Sequence, residues 1–220
     1  MRVWVTIVLV IFATGLCAAG EVQQWPDSVW QPKYERALNH MTAHRLLVGY
    51  PDFSFRPLKV ADRYEAAAVL SRMVWFLDLH LPEREWLPPD VPWNHWAADA
   101  CFILTASRLY PSPKGVRFGG DRPLMRGEFA LMAWNLVQVL QGQTPSKRLS
   151  DVGNPYANAA GKLSELGLLE AYPDGGLHPE EPMRRWEICD VVYRLLMWNE
   201  EHGGPTLGGP VLYAPRPRNG

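Results

Sequence analysis

This 220-residue sequence has no large excess of positive or negative charge, and it has few cysteines. Its 22 lysines and arginines are offset by 23 aspartates and glutamates, which leaves a formal net charge of −1 at pH 7. Nucleic-acid-binding domains usually present an excess of basic residues, so we expect no nucleic-acid partner. The three cysteines, Cys17, Cys101 and Cys189, lack the close spacing of a metal site, so no metal is predicted from them.

Cys101 and Cys189 each fall within an apolar, helical pattern. Free cysteines in such patterns usually behave as small buried hydrophobic residues, and this is the prediction here. A disulfide between the two is the alternative, because an exported protein can oxidise its thiols.

The sequence also lacks the common catalytic motifs. We find no Gly-x-Ser-x-Gly, no His-Glu-x-x-His, no phosphate-binding loop and no zinc cysteine set. Acidic pairs such as Glu187 and Asp190 could suggest a wall-active glycoside hydrolase, but they lie within a single helical turn. The sequence therefore predicts a protein that is not an enzyme and needs no cofactor.

A long apolar run occurs only at the start of the chain. Arg2 is followed by "VWVTIVLVIFATGL" and then by "CAAGE", the order of charge, apolar stretch and small residues of an export signal. We predict a signal peptide over residues 1–19, cleaved after Ala19, and no stable membrane span afterwards. An uncleaved anchor and a lipid-modified Cys17 are the alternatives, although the run is short for a span of about 20 residues.

One motif that is present occurs three times. Residues 61–68, 124–131 and 183–190 have the sequences "ADRYEAAA", "LMRGEFAL" and "MRRWEICD", each ahead of an apolar segment. The arginines Arg63, Arg126 and Arg185 are 63 and 59 residues apart. A cation at the start of a helix is unfavourable by up to about 1 kcal/mol, so three occurrences suggest a compensating role.

Two further markers accompany each Arg-x-Glu motif in a fixed order. Asp27, Asp90 and Asp151 come first, in "WPDSV", "PPDVP" and "LSDVG", and Tyr-Pro turns follow in "VGYPDFSFRP", "LYPSPKGVRF" and "EAYPDGGLHP". Helical spacing of apolar residues flanks every turn, and the second helices are predicted at about 62–79, 125–141 and 184–201. Asp62 and Glu65 have the spacing of a capping box.

The chain thus divides into three helix–loop–helix copies at 22–80, 86–141 and 147–202, followed by a flexible Gly- and Pro-rich tail at 203–220. One helix pair cannot bury its own apolar faces, so neighbouring copies must cover them. The fold class is therefore mostly α, arranged as a closed threefold cluster or a short stack.

These ordered motifs resemble the S-layer homology family. Its repeat runs roughly Phe-x-Asp-Val, Trp-Ala-x-x-Ala-Ile, Gly-Tyr-x-Asp-Gly-x-Phe-x-Pro and Thr-Arg-Ala-Glu-Phe. The second copy has "PDVPWNHWAADAC" and "MRGEFALM", the first has "VGYPDFSFRP" and the third has "SDVGNPYANAA" and "AYPDGGLHP". The motif's threonine is replaced by Asp62, Met125 and Arg184, and the loop of the second copy lacks the Asp-Gly turn.

The resemblance implies three repeats around a central helical bundle in an exported, cell-surface or periplasmic protein. It also implies non-covalent anchoring to an anionic, in some cases pyruvylated, cell-wall polysaccharide or a peptidoglycan-linked polymer. The ligand would contact the arginines of the repeated motif and loop residues in the grooves between repeats. By position these are Arg63, Arg126 and Arg185, with Asp27, Asp90, Asp151, Tyr50, Tyr172 and Trp96 around them.

Several alternatives to these roles stay open at this point. The arginines could instead pair with carboxylates, and the aspartates and aromatics could serve turns and packing. A structural module that has lost its glycan sites and binds a protein partner, for example through the tail, is the alternative function. The other tryptophans, such as Trp75, Trp134 and Trp198, are predicted to be core residues. His40 and His44 have a metal-binding spacing but are predicted to be two exposed histidines.

Overall fold

The computed structural model of the chain describes Trp25, Asp27 and residues 32–79, 86–110, 115–145 and 154–204. The predicted signal peptide, Asp151 and all of the predicted tail except Gly203 and Gly204 lie outside these residues. The described part contains six helices and no strand. The helices are α1 (Pro32–Ala43), α2 (Arg63–Phe76), α3 (Ala98–Ala106), α4 (Arg126–Leu140), α5 (Pro155–Glu165) and α6 (Arg185–Glu201).

The mostly α fold predicted from the sequence is confirmed, and the second helices lie within a few residues of their predicted positions. Asp62 caps α2: its carboxylate accepts from the Glu65 amide, and Glu65 accepts from the Asp62 amide, which is the predicted capping box. α5 begins at a proline and is capped by Asn154, whose side-chain oxygen accepts from the amides of Tyr156 and Ala157.

The helices of one copy pack against the helices of another copy. α2 lies against α3, α4 lies against α5, and α6 returns to α1, so every second helix covers the first helix of the next copy. The packing closes on itself, which decides between the two predicted arrangements in favour of the closed cluster. The shared core includes Leu70 from α2, Leu104 from α3, Leu136 from α4 and Leu195 from α6, all with no exposed surface.

The centre of the cluster is a ring of three backbone hydrogen bonds, one from each copy. The amide of Ala61 donates to the carbonyl of Met183 over 2.9 Å, Met183 donates to Leu124 over 2.8 Å, and Leu124 donates to Ala61 over 2.9 Å. All three residues are fully buried. Each copy therefore begins its second helix from the same central ring.

Cys101 and Cys189 are free and buried, which confirms them as small core residues and leaves no disulfide between them. Of the tryptophans predicted to be core, Trp198 is buried and Trp134 packs against the core, but Trp75 is 40% exposed. Trp75 lies near the end of α2, where the covering helix of the next copy is shorter than α2 itself. Within the described segments, no helix combines the length and the apolar character needed to cross a membrane.

Candidate functional site

Each arginine of the repeated motif is the first residue of a second helix and is almost completely buried. Arg63, Arg126 and Arg185 are 2%, 4% and 8% exposed. Each guanidinium faces the glutamate at the third position of the next copy's second helix. We call these contacts the first junction (Arg63 with Glu128, 3.4 Å), the second junction (Arg126 with Glu187, 2.6 Å) and the third junction (Arg185 with Glu65, 2.9 Å).

This pairing explains why the motif is Arg-x-Glu. Residues two positions apart on a helix point in different directions, so one helix can offer its arginine to the next copy and its glutamate to the previous one. The glutamates also cap their own helices: Oε2 of Glu128 accepts from the Met125 amide over 3.2 Å, and Oε2 of Glu187 accepts from the Arg184 amide over 2.7 Å. The carboxylate near each arginine also offsets the cost of a cation at a helix start.

The helix starts do not offer free backbone amides to a ligand, contrary to our sequence-based hypothesis. The amides of Arg63, Arg126 and Arg185 donate to carbonyls of the next copy over 3.0, 2.8 and 3.0 Å. The accepting carbonyls belong to the loop that precedes the next Arg-x-Glu motif: Gly120, Glu181 and Lys59. The closed cluster therefore satisfies these donors internally, which the sequence of one copy cannot indicate.

A tyrosine from the Tyr-Pro turn completes every junction. Tyr172 donates its hydroxyl to Glu187 over 2.9 Å, Tyr50 donates to Glu65, and Tyr110 accepts from Arg63. The arginine lies over the ring of its tyrosine at 4.8 Å in the first junction, 4.6 Å in the second and 4.7 Å in the third. Burial, followed by the charge of Glu187, raises the pKa of Tyr172 to about 12, so this tyrosine stays neutral at pH 7.

The aspartate markers hold the loops that line the junctions. Asp27 accepts from the amide of Phe55 over 2.9 Å and Asp90 accepts from the amide of Phe118 over 2.7 Å. Each phenylalanine ring lies next to a junction arginine, with Phe55 at 4.9 Å from Arg185 and Phe118 at 5.2 Å from Arg63. Both carboxylates therefore have structural partners, but they hold a loop 28 residues further along the chain and do not close a turn of their own. Asp151, the third marker, lies outside the described residues.

The chain is similar in sequence to one protein family and to two known proteins. The family model of the S-layer homology domain matches residues 148–188, which include Arg185, Tyr172 and Glu187. This part of the chain therefore matches the S-layer homology family, which the repeated motifs of the sequence resemble. It is 29% identical over 178 residues to cell surface glycoprotein 1 of Acetivibrio thermocellus, a match that covers 76% of this chain and 8% of that protein.

The chain is also similar to the cellulosome-anchoring protein of the same organism, with 25% identity over 179 residues, 79% of this chain and 39% of that protein. It thus spans less than half of the length of either relative. The domain match and these two relatives together support a cell-surface anchoring module.

The three junctions differ in one residue that the sequence analysis missed. Four positions before each arginine of the motif stand Lys59, Arg122 and Glu181. Lys59 Nζ is 3.0 Å from Glu65, and Arg122 Nη2 is 3.6 Å from Glu128. Burial alone would lower the pKa of Lys59, but its contacts with Tyr50 and Glu65 outweigh this and raise it. Alignment of the copies on their arginines would have revealed this difference.

Trp96 is 63% exposed at the edge of the first junction. Its ring lies 6.0 Å from the ring of Tyr64, the residue after Arg63, and 5.7 Å from His95. Trp93, which the sequence analysis did not single out, is 65% exposed in the same loop. The structure therefore leaves aromatic surface open beside the first junction.

His40 and His44 lie away from the junctions and are not simply exposed, as the sequence suggested. Their ring centroids are 4.7 Å apart, and Tyr193 and Phe76 contact them at 5.3 and 5.4 Å. Among the described residues, no group of three or more His, Cys, Asp or Glu could hold a metal ion. Burial lowers the pKa of both histidines.

Proposed function

We propose that this chain is a non-catalytic anchoring module that attaches to an anionic polysaccharide of the cell envelope. The observation on which the proposal rests is the repetition of one Arg–Glu–Tyr arrangement at three boundaries between copies. Three repeated junctions on one compact cluster suit a polymer, because several weak contacts to one chain combine into strong attachment. The anchoring named for the cellulosome-anchoring relative agrees with this proposal.

In the proposed mode of binding, an anionic substituent of the glycan enters the surface beside a junction. Arg63, Arg126 and Arg185 supply positive charge from below that surface. Asp27 and Asp90 fix the loops around it, and Asp151 is assigned the same role by its place in the third repeat. Tyr50, Tyr172 and Trp96 offer rings to the sugar. Tyr and Trp suit this task because they combine an apolar face with a polar tip.

Enzymatic hydrolysis is not part of the proposal, because the carboxylates considered for it have structural partners. Glu187 is bound to Arg126 at 2.6 Å and also accepts from the Arg184 amide. Asp190 is bound to Arg194 at 2.9 Å. A general acid or nucleophile of a glycosidase needs a carboxyl group that can reach the substrate.

The proposal is tested by sedimentation of the purified mature chain with isolated cell-wall sacculi. The expected result is binding to native sacculi, weakening as salt is raised, and no binding to sacculi from which hydrofluoric acid has removed the secondary polymer. Equal binding to both preparations would assign the contact to peptidoglycan itself, and no binding to native sacculi would refute glycan anchoring. Release of reducing sugar from native sacculi would show that the chain is a hydrolase.

A further inference from the structure

The first junction is the only one of the three whose ion pair is not a hydrogen bond. Arg126 and Arg185 donate to their glutamates over 2.6 and 2.9 Å. Arg63 approaches Glu128 only to 3.4 Å, and the side-chain hydrogen bond that Arg63 does make goes to Tyr110. Nε of Arg63 is buried without a partner, as is Nε of Arg126, but Arg126 has the hydrogen bond to its glutamate that Arg63 lacks. A buried guanidinium with unmet donors is expensive, and an incoming acceptor would be correspondingly favourable.

Arg122 adds a second, exposed guanidinium to the same carboxylate. Its Nη2 lies 3.6 Å from Oε1 of Glu128, the same oxygen that Arg63 approaches, and its side chain is 64% exposed. Within the described part of the chain, the guanidinium of Arg122 makes no hydrogen bond. Two arginines thus share one carboxylate, and most of the donors of the outer arginine face solvent. Such a planar fork binds a carboxylate or a phosphate at two points.

The positions equivalent to Arg122 differ at the other two junctions. Lys59 is bound to Glu65 at 3.0 Å and lies 3.8 Å from Asp62, so two carboxylates already surround it. At the second junction the equivalent residue is Glu181, an exposed carboxylate that would repel an anion. The first junction has Met125 at the cap position, where the first copy has Asp62, so no cap carboxylate competes for Arg122. The absence of an acidic residue at the cap position thus leaves Arg122 available to an anionic ligand.

We infer that the first junction is the principal contact for the anionic glycan, and that Arg122 grips its oxyanion substituent while Arg63 supports the charge from below. This inference rests on the proposed function. The exposed ring of Trp96 at the edge of the junction gives the attached sugar an apolar surface. The ligand chemistry is a carboxylate or phosphate group on a sugar.

The test compares single substitutions in the sacculus sedimentation assay. Arg122→Ala should weaken binding at least tenfold, because one charge-assisted, two-point contact is lost. Arg36→Ala, which removes an exposed arginine of α1, is the matched control and should bind as the wild type does. Lys59→Ala should weaken binding by less than threefold. Unfolding curves of Arg122→Ala and Arg36→Ala should match the wild type, since these two side chains are exposed. Binding by Lys59→Ala is compared at a temperature at which its unfolding curve shows a fully folded chain, because Lys59 pairs with the almost buried Glu65.

Some outcomes would contradict the role of the first junction and leave the proposed function intact. If the wild type binds native sacculi and Arg122→Ala binds equally well, or if Lys59→Ala loses as much as Arg122→Ala, the first junction is not the principal contact. Competition identifies the oxyanion: polygalacturonate as competitor indicates a carboxylate, and polyphosphate indicates a phosphate. Failure of both polyanions to compete would also contradict the inference. Failure of the wild type itself to bind would overturn the proposed function as well.

Discussion

Arg126 and Glu187 form the shortest of the three ion pairs between copies. Their charged atoms are 2.6 Å apart, and the side chains are 5% and 4% exposed. Removing one partner of such a pair leaves a buried, uncompensated charge. The pair therefore links the stability of the second copy to that of the third.

Glu187→Gln should lower the free energy of unfolding by about 3–5 kcal/mol, because Arg126 then keeps its charge without a counter-ion. Urea denaturation of the purified chain measures the loss. Glu165→Gln is the control, since Glu165 pairs with Lys162 on the surface, where its side chain is 66% exposed. That change should cost no more than about 0.5 kcal/mol. Equal effects of the two substitutions would show that the junction pair adds little to stability.

Gly127→Ala should destabilise the fold by about 1–3 kcal/mol through overpacking. A Cβ at this position would lie 2.6 Å from Cβ of Tyr156 and 2.9 Å from Pro179, both in the third copy. Gly161→Ala is the matched control, because a Cβ at that position of α5 would meet no atom within 4 Å. In a helix this control should gain about 0.5–1 kcal/mol. A neutral or stabilising Gly127→Ala would contradict the close approach of the second and third copies.

Acidification should destabilise the chain through His40 and His44. Burial lowers the pKa of both below 6.5, and the charge of Glu200 only partly opposes this. The unfolded chain therefore binds more protons than the folded chain below about pH 6.5, so this stability is present above that pH and lost on acidification. The midpoint of urea unfolding should be lower at pH 5.5 than at pH 7.5.

The histidine effect can be separated from other titrations by substitution. His44→Phe should reduce the slope of stability against pH, whatever it does to stability at pH 7.5. His178→Ala should not reduce that slope, because the pKa of the exposed His178 is raised by its hydrogen bond to Asp174, the opposite direction. An unchanged slope in His44→Phe would assign the pH dependence to other groups.

Glu181→Arg should increase the affinity for native sacculi by about threefold, since it introduces at the second junction the guanidinium that Arg122 supplies at the first. Glu187 is already hydrogen-bonded to Arg126, so the new side chain would keep its donors for a ligand. Glu180→Arg makes the same change of charge one residue away and should gain less. Equal gains would mean that general attraction, not position, decides the affinity.

The sequence predicted the helices and the repeated order of motifs because these depend on residues close together in the chain. Asp62 with Glu65 is an example, since both partners of that capping box lie within one turn. The sequence could not identify the partner of Arg185. That partner is Glu65, which lies 120 residues away in the chain. Residues two positions apart on a helix point in different directions, which excluded the glutamate of the same motif as a partner. Only the closed packing brings the glutamate of another copy to the arginine.

Differences among the copies were harder to predict than the features they share. One position changes from Lys59 to Arg122 to Glu181 across the three copies. It lies outside the Arg-x-Glu motif, so comparison of the motifs alone does not reveal the change. Met125 stands where the motif has a threonine, so the sequence indicates that α4 lacks a side-chain cap. In the structure, Glu128 accepts from the Met125 amide as the matching glutamates do in the other copies, and the absence of an acid at position 125 leaves Arg122 with one shared carboxylate. Such a consequence depends on side chains that meet only after folding.

The hydrogen-bond ring of Ala61, Leu124 and Met183 has a consequence for how the chain reaches its native state. Ala61 and Met183 are neighbours in the ring although almost the whole domain separates them in sequence. Closure of so long a loop is slow, because its entropy is lost before any contact across it forms. On the ribosome, the first copy must wait for α6 before its own junction can form. We therefore expect the closed cluster to form only after α6 has left the ribosome, so that a chain stopped before α6 lacks both the third junction and the complete ring.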